Sequence, residues 1–541
     1  MISIKYRYPY EVSGTRKGVF THMSKYLNTN SSLILYDQLR NSEYFVDKSG
    51  IIRTINKRIK TITKNICITK PRRFGKTSLL NMLGAYYCKA YDSKSIFDNL
   101  DISQSKDYTI HLNHYNVINM CLNHLSDQGN TFNDYISLIK DSLKHDILES
   151  YPELQGISFH SISDMLTATN DEFIFIIDEW DYIFSHDLYS ENQSDFLEFL
   201  RDLLKDRPYV ALAYMTGVLP IKRYSTGSAL NMFKEYTMLN DPVFEKYFGF
   251  TEEEVEALCQ QQTVLSMSEI SEWYNGYQTR DGRRLYNPRS VVCALEDGSC
   301  QSYWTTTGKM DEVLFYLKHN IGEVREDAIK MVNHMPIHIE IRKEYTAGQS
   351  SPSTKKEIYA AMIIYGLLSY SDGELRIPNK ELMLEFESAI EDDDFGYVAE
   401  LVRNSSAVLD ATLNRQGDIV ASYLHNIHNS ELPILKYNDE NSLSCVVTLA
   451  YLSARNKYKI EREEKSGKGF ADFIFYPRRK NLPGIIIELK ADSSPETAIR
   501  QIISKEYSEK LKKEEAECIL AVGINYDSKK KEHQCLIEEI S

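Results

Sequence analysis

The sequence predicts an α/β protein of several domains: a parallel-sheet core toward the N-terminus, a mainly helical middle, and a smaller α/β domain at the C-terminus. Three observations predict this. From about residue 61 to 240, short apolar runs alternate with helical patterns, as in a parallel sheet with helices on both faces. One of these runs, Asn65–Thr69, leads directly into Gly75-Lys76-Thr77-Ser78 and a helix. Near the C-terminus, two further apolar runs carry charge: Asp472 lies in Gly469–Tyr476, and Glu488 and Lys490 close Gly484–Lys490.

Residues 1 to about 60 read as a lead-in segment before the first core strand. The strand at Asn65–Thr69 opens the loop Lys70-Pro71-Arg72-Arg73-Phe74-Gly75-Lys76-Thr77-Ser78. Strand, loop and helix in that order are what a phosphate-binding P-loop requires. Its backbone N–H groups and the helix N-terminus are expected to hold the phosphates of ATP. Lys76 is expected to reach the β- and γ-phosphates, and Thr77 to ligate Mg²⁺. One position departs from G-x-x-x-x-G-K-[ST]: Lys70 stands where the first glycine belongs, so the turn must be built differently, around Pro71. Downstream, the apolar run Phe173–Ile177 ends in Asp178 and Glu179. Asp178 suits the Mg²⁺ shell, and Glu179 suits polarising the attacking water. A further strand, Val210–Met215, places Thr216 at its tip as a sensor of the γ-phosphate, and Lys222 and Arg223 follow as candidates for contacting nucleotide. No acidic residue occurs between Asp47 and Asp92, whereas Arg53, Lys57, Arg58, Lys60, Lys64, Lys70, Arg72, Arg73 and Lys76 do. That run predicts either a local positive field drawing anions or a solvated basic helix beside the loop.

Residues 241–345 read as a helical lid, Ala347–Thr354 as a linker of small and polar residues, and 355–428 as a helical connector. Asp392-Asp393-Asp394 reads as a solvated helix start, because consecutive acids on a helix face different ways.

The C-terminal domain is expected over 430–541, as a helix at Asp439–Ser453, strands at Tyr458–Glu463, Ala471–Tyr476 and Gly484–Lys490, a helix from Pro495 to about Lys513, and a strand at Cys518–Gly523. Alternation puts Glu488 and Lys490 on one face of their strand. Charges at the end of a buried strand are costly unless they pair or coordinate an ion, and Mg²⁺ takes carboxylate oxygens. The arrangement resembles the PD-(D/E)XK nuclease superfamily, with its restriction-endonuclease-like α/β core. The resemblance implies that Asp472, Glu488 and Lys490 form a Mg²⁺-dependent catalytic site. It also implies that Gln501 and Tyr507, on the helix after the lysine, help bind substrate, and that Glu440 is the extra acid some members carry. Ala471 stands where the family often has proline. The basic residues Arg478, Arg479, Lys480, Lys465, Lys468, Arg500 and Lys505 either line a nucleic-acid groove or solvate an exposed hairpin.

An ordered series of motifs spans nearly the whole chain. It runs through Tyr44–Ser49, Lys70–Thr77, Ile177–Asp181, Thr216–Val218, Phe248–Val255, Trp273–Tyr277, Tyr286–Ser290, Tyr303–Gly308 and Ile377–Glu381. The series resembles the bacterial AAA-ATPase-like family, whose members often end in a PD-(D/E)XK domain. That resemblance implies a P-loop ATPase fused to a nuclease, with nucleic acid (DNA or RNA) as partner, a homo-oligomer as one possible state, and a role in defence or mobile-element processing.

Composition narrows the classes. At 541 residues the chain exceeds one core, and 42% hydrophobic with 26% charged residues is ordinary for folded domains. A net charge of −14 argues against broad, nonspecific duplex binding. No apolar window approaches membrane-spanning length, and the N-terminus lacks the apolar core of a signal peptide, so the expectation is a cytoplasmic chain without membrane contact. The nine cysteines are scattered with no C-x-x-C, which fits a reducing compartment, and His425 and His428 read as a surface or core pair. Two readings remain open: a nucleotide-gated nuclease, or an ATP-dependent switch whose nuclease-like domain binds without cutting.

Overall fold

The computed structural model describes residues 24–125, 131–221, 229–279, 282–304, 324–332, 336–342, 344–349, 351–391, 405, 407–428, 440–451, 453–454, 457–479, 482–513 and 518–540. The chain forms two compact units, residues 1–248 with 346–349, and residues 249–345 with 350–541.

The first unit is built on five parallel strands: β1 (Asn65–Thr69), β2 (Asn116–Cys121), β3 (Phe173–Asp178), β4 (Val210–Gly217) and β5 (Lys234–Tyr236). Their order is β2-β3-β4-β1-β5, so β4 lies between the strand that feeds the phosphate loop and the strand that ends in Asp178. Every residue of β1, β3 and β4 is buried, as expected of strands covered on both faces. The helix Lys76–Tyr87 follows β1 and buries Leu79, Leu80 and Leu83. The edge strand β2 is completed by residues 26–28: the Asp146 carboxylate accepts the N–H groups of Lys25, Tyr26 and Leu27, and Leu27 bridges to Ile118.

The second unit begins at Gly249, eight residues beyond the expected lid boundary. Residues 241–248 stay with the first unit because Asp241 is buried there against Lys70. Among the described residues, the stretches expected as lid and connector carry short strands as well as helices. β6 (Phe250–Thr251), β7 (Tyr277–Gln278) and β8 (Arg284–Tyr286) form one small antiparallel sheet. β9 (Ile337–His338), β10 (Ser369–Ser371) and β11 (Glu374–Arg376) form another. The hairpin between β10 and β11 turns on Asp372-Gly373, both at positive φ (52° and 81°), the backbone of a two-residue type I′ turn.

Three of the motifs singled out in the sequence meet in this region at a buried carboxylate, and a fourth packs on the segment that carries it. Glu381 is fully buried. It accepts from Ser290 Oγ at 2.9 and 3.0 Å and from the Tyr303 N–H at 2.7 Å. Asn287 caps the helix Pro288–Asp297 that carries Ser290. Lys380 pairs with Glu272 at 2.7 Å and lies 4.6 Å over the Trp273 ring. Gly276 is obligatory, since a Cβ there would sit 1.5 Å from the Pro378 carbonyl oxygen.

The C-terminal sheet has order β12-β13-β14-β15-β16, from β12 (Tyr458–Ser466), β13 (Gly469–Pro477), β14 (Gly484–Ala491), β15 (Ile519–Asp527) and β16 (Glu532–Ile540). Only β14 and β15 are parallel. The helix Glu440–Ala450 precedes it, and Pro495–Ser504 crosses between β14 and β15. Ile499 and Ile502 from that crossing helix pack on Ile474, Ile486 and Ala521. Two expectations are corrected. The long helix from Pro495 breaks: Glu506 takes a left-handed φ of 59°, and a short helix resumes at Glu509–Lys513. The last strand extends to Asp527 and is followed by β16, which was not expected. The sequence of β16, Glu532–Ile540, alternates weakly because it is an edge strand with few buried positions.

Candidate functional sites

The phosphate-loop site lies at the C-terminal ends of β1, β3 and β4, where open parallel sheets place their ligands. Gly75 caps the helix Lys76–Tyr87 in the left-handed conformation, φ 84°, and Arg73 also takes a positive φ of 69°. The turn therefore gets its left-handed residues later in the loop than the usual first glycine. Lys76 is buried, and its Nζ donates to the carbonyls of Lys70 (2.8 Å) and Pro71 (2.7 Å). An ammonium has three donors, so one remains for a ligand. Burial pulls its pKa down to about 8, against the opposing pull of Asp178, Asp181 and Glu179.

Asp178 is the hub. Its Oδ2 accepts from Thr77 Oγ1 at 2.7 Å, and its Oδ1 accepts from Thr216 Oγ1 at 2.6 Å and from the Glu179 N–H at 3.0 Å. Glu179 has a left-handed φ of 51°. The buried Asp181 accepts the N–H groups of Val218 (3.1 Å) and Leu219 (2.7 Å), which fixes the turn after Thr216, and burial raises its pKa. Gly217 is required there, because a Cβ would meet Asp181 Oδ1 at 2.4 Å and the Trp180 ring at 2.6 Å. The structure thus brings together Gly75, Lys76, Thr77, Asp178, Glu179 and Thr216. Arg72 and Ser78 are part-buried in the loop and its first turn. Pro71 contributes its carbonyl, while the Phe74 side chain is 1% exposed and packs inward. The Lys70 side chain does not belong to the phosphate-facing set, since its ammonium is paired with Asp241 at 2.9 Å. Lys222 and Arg223 lie outside the described residues.

The expected basic patch is largely spent on structure. Arg53 binds Asp101, Lys60 pairs with Glu172, and Lys64 donates to the carbonyls of Val210 and Arg207. Arg58 lies 5.1 Å over the rings of both Tyr236 and Phe244.

The C-terminal site forms where β13 and β14 part. Their ladder pairs Phe473 with Ile487, Ile474 with Ile486, and Phe475 with Ile485. One residue further along, the Asp472 carboxylate takes the N–H of Leu489 at 2.7 Å. Glu488 is 2% exposed. Its Oε1 accepts from Lys490 Nζ at 3.0 Å and from Gln501 Nε2, while its Oε2 is buried with no side-chain partner, and the backbone N–H of Asp472 supports the carboxylate. Burial, and next the charge of Asp472, push the Glu488 pKa up to about 7. Lys490 Nζ also donates to its neighbour's carbonyl, Leu489 O, at 2.8 Å. Tyr507 sits in the turn that breaks the helix, not on the helix as expected, and its OH is 3.4 Å from Gln501 Nε2.

A buried carboxylate oxygen that no side chain binds, beside a second carboxylate, is the donor set a hard divalent cation takes, so the residues present fit Mg²⁺ or Mn²⁺. The loop site likewise fits a nucleotide with Mg²⁺: a helix N-terminus, a lysine with a spare donor, and a Thr–Asp pair. Among the flanking cations, Arg478 and Arg479 are exposed and Lys468 pairs with Glu506 at 2.8 Å. Lys480 and Asp392–Asp394 lie outside the described residues, as do the side chains of Glu440, Lys465 and His428. Among the described residues, no group of three or more His, Cys, Asp and Glu forms a further metal site, and no helix is long and apolar enough to cross a membrane. The sequence reading missed Asp241 as the partner of Lys70. It also missed Asp181 as the anchor of the Thr216 turn, though the second aspartate of Asp-Glu-Trp-Asp was its signal.

Residues 34–226 match the family described as predicted AAA-ATPase, and residues 438–534 match the PD-(D/E)XK nuclease superfamily. No curated protein matches the chain. Among solved structures, a Walker-type ATPase of Pyrococcus abyssi aligns over 63% of this chain and 94% of its own, at 12% identity and a TM-score of 0.33. The ORC2 protein of Aeropyrum pernix, determined as ADPNP–ADP complexes, aligns over 65% and 96%, at 14% identity and a TM-score of 0.26. The chain therefore joins an AAA-ATPase-like domain to a C-terminal domain of the PD-(D/E)XK nuclease superfamily.

Proposed function

We propose that the protein is a metal-dependent nuclease whose cutting is controlled by ATP. The observation that carries the reading is the buried carboxylate of Glu488 beside Asp472, with an Oε2 that no side chain binds and an Oε1 held by Lys490 and Gln501. Two carboxylates brought together in a buried place cost stability, and they are the arrangement a cation site needs. Asp472 and Glu488 hold Mg²⁺ or Mn²⁺, and Gln501 and Lys490 fix the carboxylate that does so. A bound divalent cation supplies Lewis-acid polarisation of a phosphodiester and a water acidic enough to attack it. Lys490 brings an ammonium to the charge that develops on the phosphate, and Tyr507 steadies Gln501.

In the ATPase domain, Lys76 and the loop amides bind the phosphates and Thr77 and Asp178 hold Mg²⁺. Glu179 polarises the attacking water, and Thr216, bonded to Asp178, reports the γ-phosphate. Gating follows from need: an unguarded nuclease is hazardous, and a nucleotide that binds one conformer better shifts its population. A role in defence or mobile-element processing fits such a device.

The test is a cleavage panel. Labelled single- and double-stranded DNA and RNA are incubated with the protein and Mg²⁺ or Mn²⁺, with and without ATP. Cleavage is expected with metal, lost in Asp472→Ala and Lys490→Ala, and altered in its ATP dependence by Lys76→Ala. Cutting that survives Asp472→Ala removes the proposed active site. Cutting indifferent to Lys76→Ala removes the gating. Absence of cutting together with metal-independent nucleic-acid binding makes the protein a switch that binds without cleaving.

A further inference from the structure

Lys70 stands where P-loops carry their first glycine, and it is held at three points. Its N–H donates to Gly217 O at the end of β4, at 3.1 Å. Its carbonyl receives Lys76 Nζ at 2.8 Å. Its own ammonium, 3% exposed, donates to Thr237 O at 2.9 Å, pairs with Asp241 Oδ2 at 2.9 Å, and lies 5.9 Å from the centre of the Phe248 ring. Asp241 is equally buried, and its other oxygen accepts the N–H groups of Val243 (3.1 Å) and Phe244 (2.7 Å). A fully desolvated pair with both partners further hydrogen-bonded is rigid, and removing one partner strands the other.

We propose that Lys70 is a positioning residue for nucleotide. Its buried pair with Asp241 fixes the carbonyl on which Lys76 rests, and so sets where the Lys76 ammonium meets the β- and γ-phosphates. A glycine would make this turn through backbone freedom, whereas Lys70 makes it by anchoring a side chain to the segment Thr237–Phe248 beyond β5. Loop and segment are then one body: whatever shifts Thr237–Phe248 shifts the grip of Lys76, and a bound nucleotide stiffens that segment in return. The inference deepens the nucleotide-binding reading of this site and rests on it.

The experiment measures ATP·Mg²⁺ affinity by calorimetry and turnover by phosphate release, on the full chain. The arms are wild type, Lys76→Met, Lys70→Met, Lys70→Arg and the double variant Lys70→Met/Asp241→Asn. The double variant removes both charges at once, so no buried charge is stranded, and Asn keeps an acceptor for the Val243 and Phe244 N–H groups. Hydrogen-exchange protection of β1 verifies that it folds. The expected result is a loss of at least tenfold in ATP affinity in Lys70→Met and in the folded double variant. Lys70→Arg, which keeps a charge within reach of Asp241, recovers part of it. A folded double variant that binds and turns over ATP like wild type overturns the proposal and makes the pair structural only. Wild type that fails to bind ATP overturns the nucleotide reading as well. Wild type that binds while Lys76→Met does not shows that any failure lies with Lys70 alone.

Discussion

Glu488→Gln is expected to stabilise the metal-free protein near neutral pH while abolishing its metal site. Folded Glu488 binds its proton more tightly than an unfolded glutamate does, because its pKa rises from 4.5 to about 7. A group with a raised folded pKa gives its full contribution below the unfolded value and loses it as pH climbs through the folded value. The window is therefore about pH 4.5 to 7, with the cost complete above it. At about 1.4 kcal/mol per pKa unit, the ceiling is about 3 kcal/mol, and relaxation at the site brings the expected gain to roughly 1–3 kcal/mol. Gln keeps the shape and an acceptor for Lys490 and Gln501, but carries no charge. The chain has two units, so a single global melt would mix them. The assay is hydrogen exchange of β14 (Gly484–Ala491) by mass spectrometry, in chelator, at pH 5.5 and pH 8. Glu488→Gln should be better protected at both pH values, with a clearly larger advantage at pH 8, because less than half of the cost has accrued at pH 5.5. Mn²⁺ should then protect wild type and leave the variant unchanged. A difference between the two that is the same at both pH values, or a variant less protected at pH 8, refutes the reasoning, because it means the ionised glutamate is held comfortably by its partners.

Three further outcomes are expected. Burial holds the Lys76 pKa near 8, and it must rise beside phosphates, so ATP binding at pH 8 should take up about half a proton and weaken as pH climbs further; calorimetry in buffers of different ionisation enthalpy reads the uptake, and an uptake of zero contradicts the placement of Lys76. Thr216→Val removes a donor to Asp178 and should lower ATP turnover by roughly tenfold or more, with little change in ATP affinity, in a steady-state phosphate-release assay. Glu381→Ala strands Ser290 Oγ and the Tyr303 N–H and opens a cavity, so it should cost about 2–4 kcal/mol, seen as lost protection of the helix Pro288–Asp297, whereas Glu381→Gln should cost less.

Much of this was legible in the sequence because the informative residues are local. The Gly-Lys-Thr turn after β1, the Asp178–Glu179 end of β3, and the Glu488–Lys490 alternation on β14 are each contained within a few residues, so periodicity alone predicts their elements and faces. What was not legible depends on partners far along the chain. Lys70 reads as part of a phosphate loop until Asp241 is seen beside it. The basic run from Arg53 to Lys64 reads as a patch until Asp101, Glu172 and the aromatic rings of Tyr236 and Phe244 absorb it. The break before Tyr507 comes from one left-handed residue, Glu506, whose side chain gives no warning of it. The motifs Tyr286–Ser290 and Ile377–Glu381 could be seen but not understood, since a buried glutamate explains itself only through the hydroxyl and the amide it binds.

The measurement that tests the central claim most directly is manganese binding by calorimetry at pH 8, on wild type, Asp472→Ala and Glu488→Gln, followed by cleavage of labelled DNA and RNA by the same preparations. The account predicts that wild type binds the ion and cuts, and that each variant loses both together. Undiminished binding or cutting in Asp472→Ala and Glu488→Gln contradicts it.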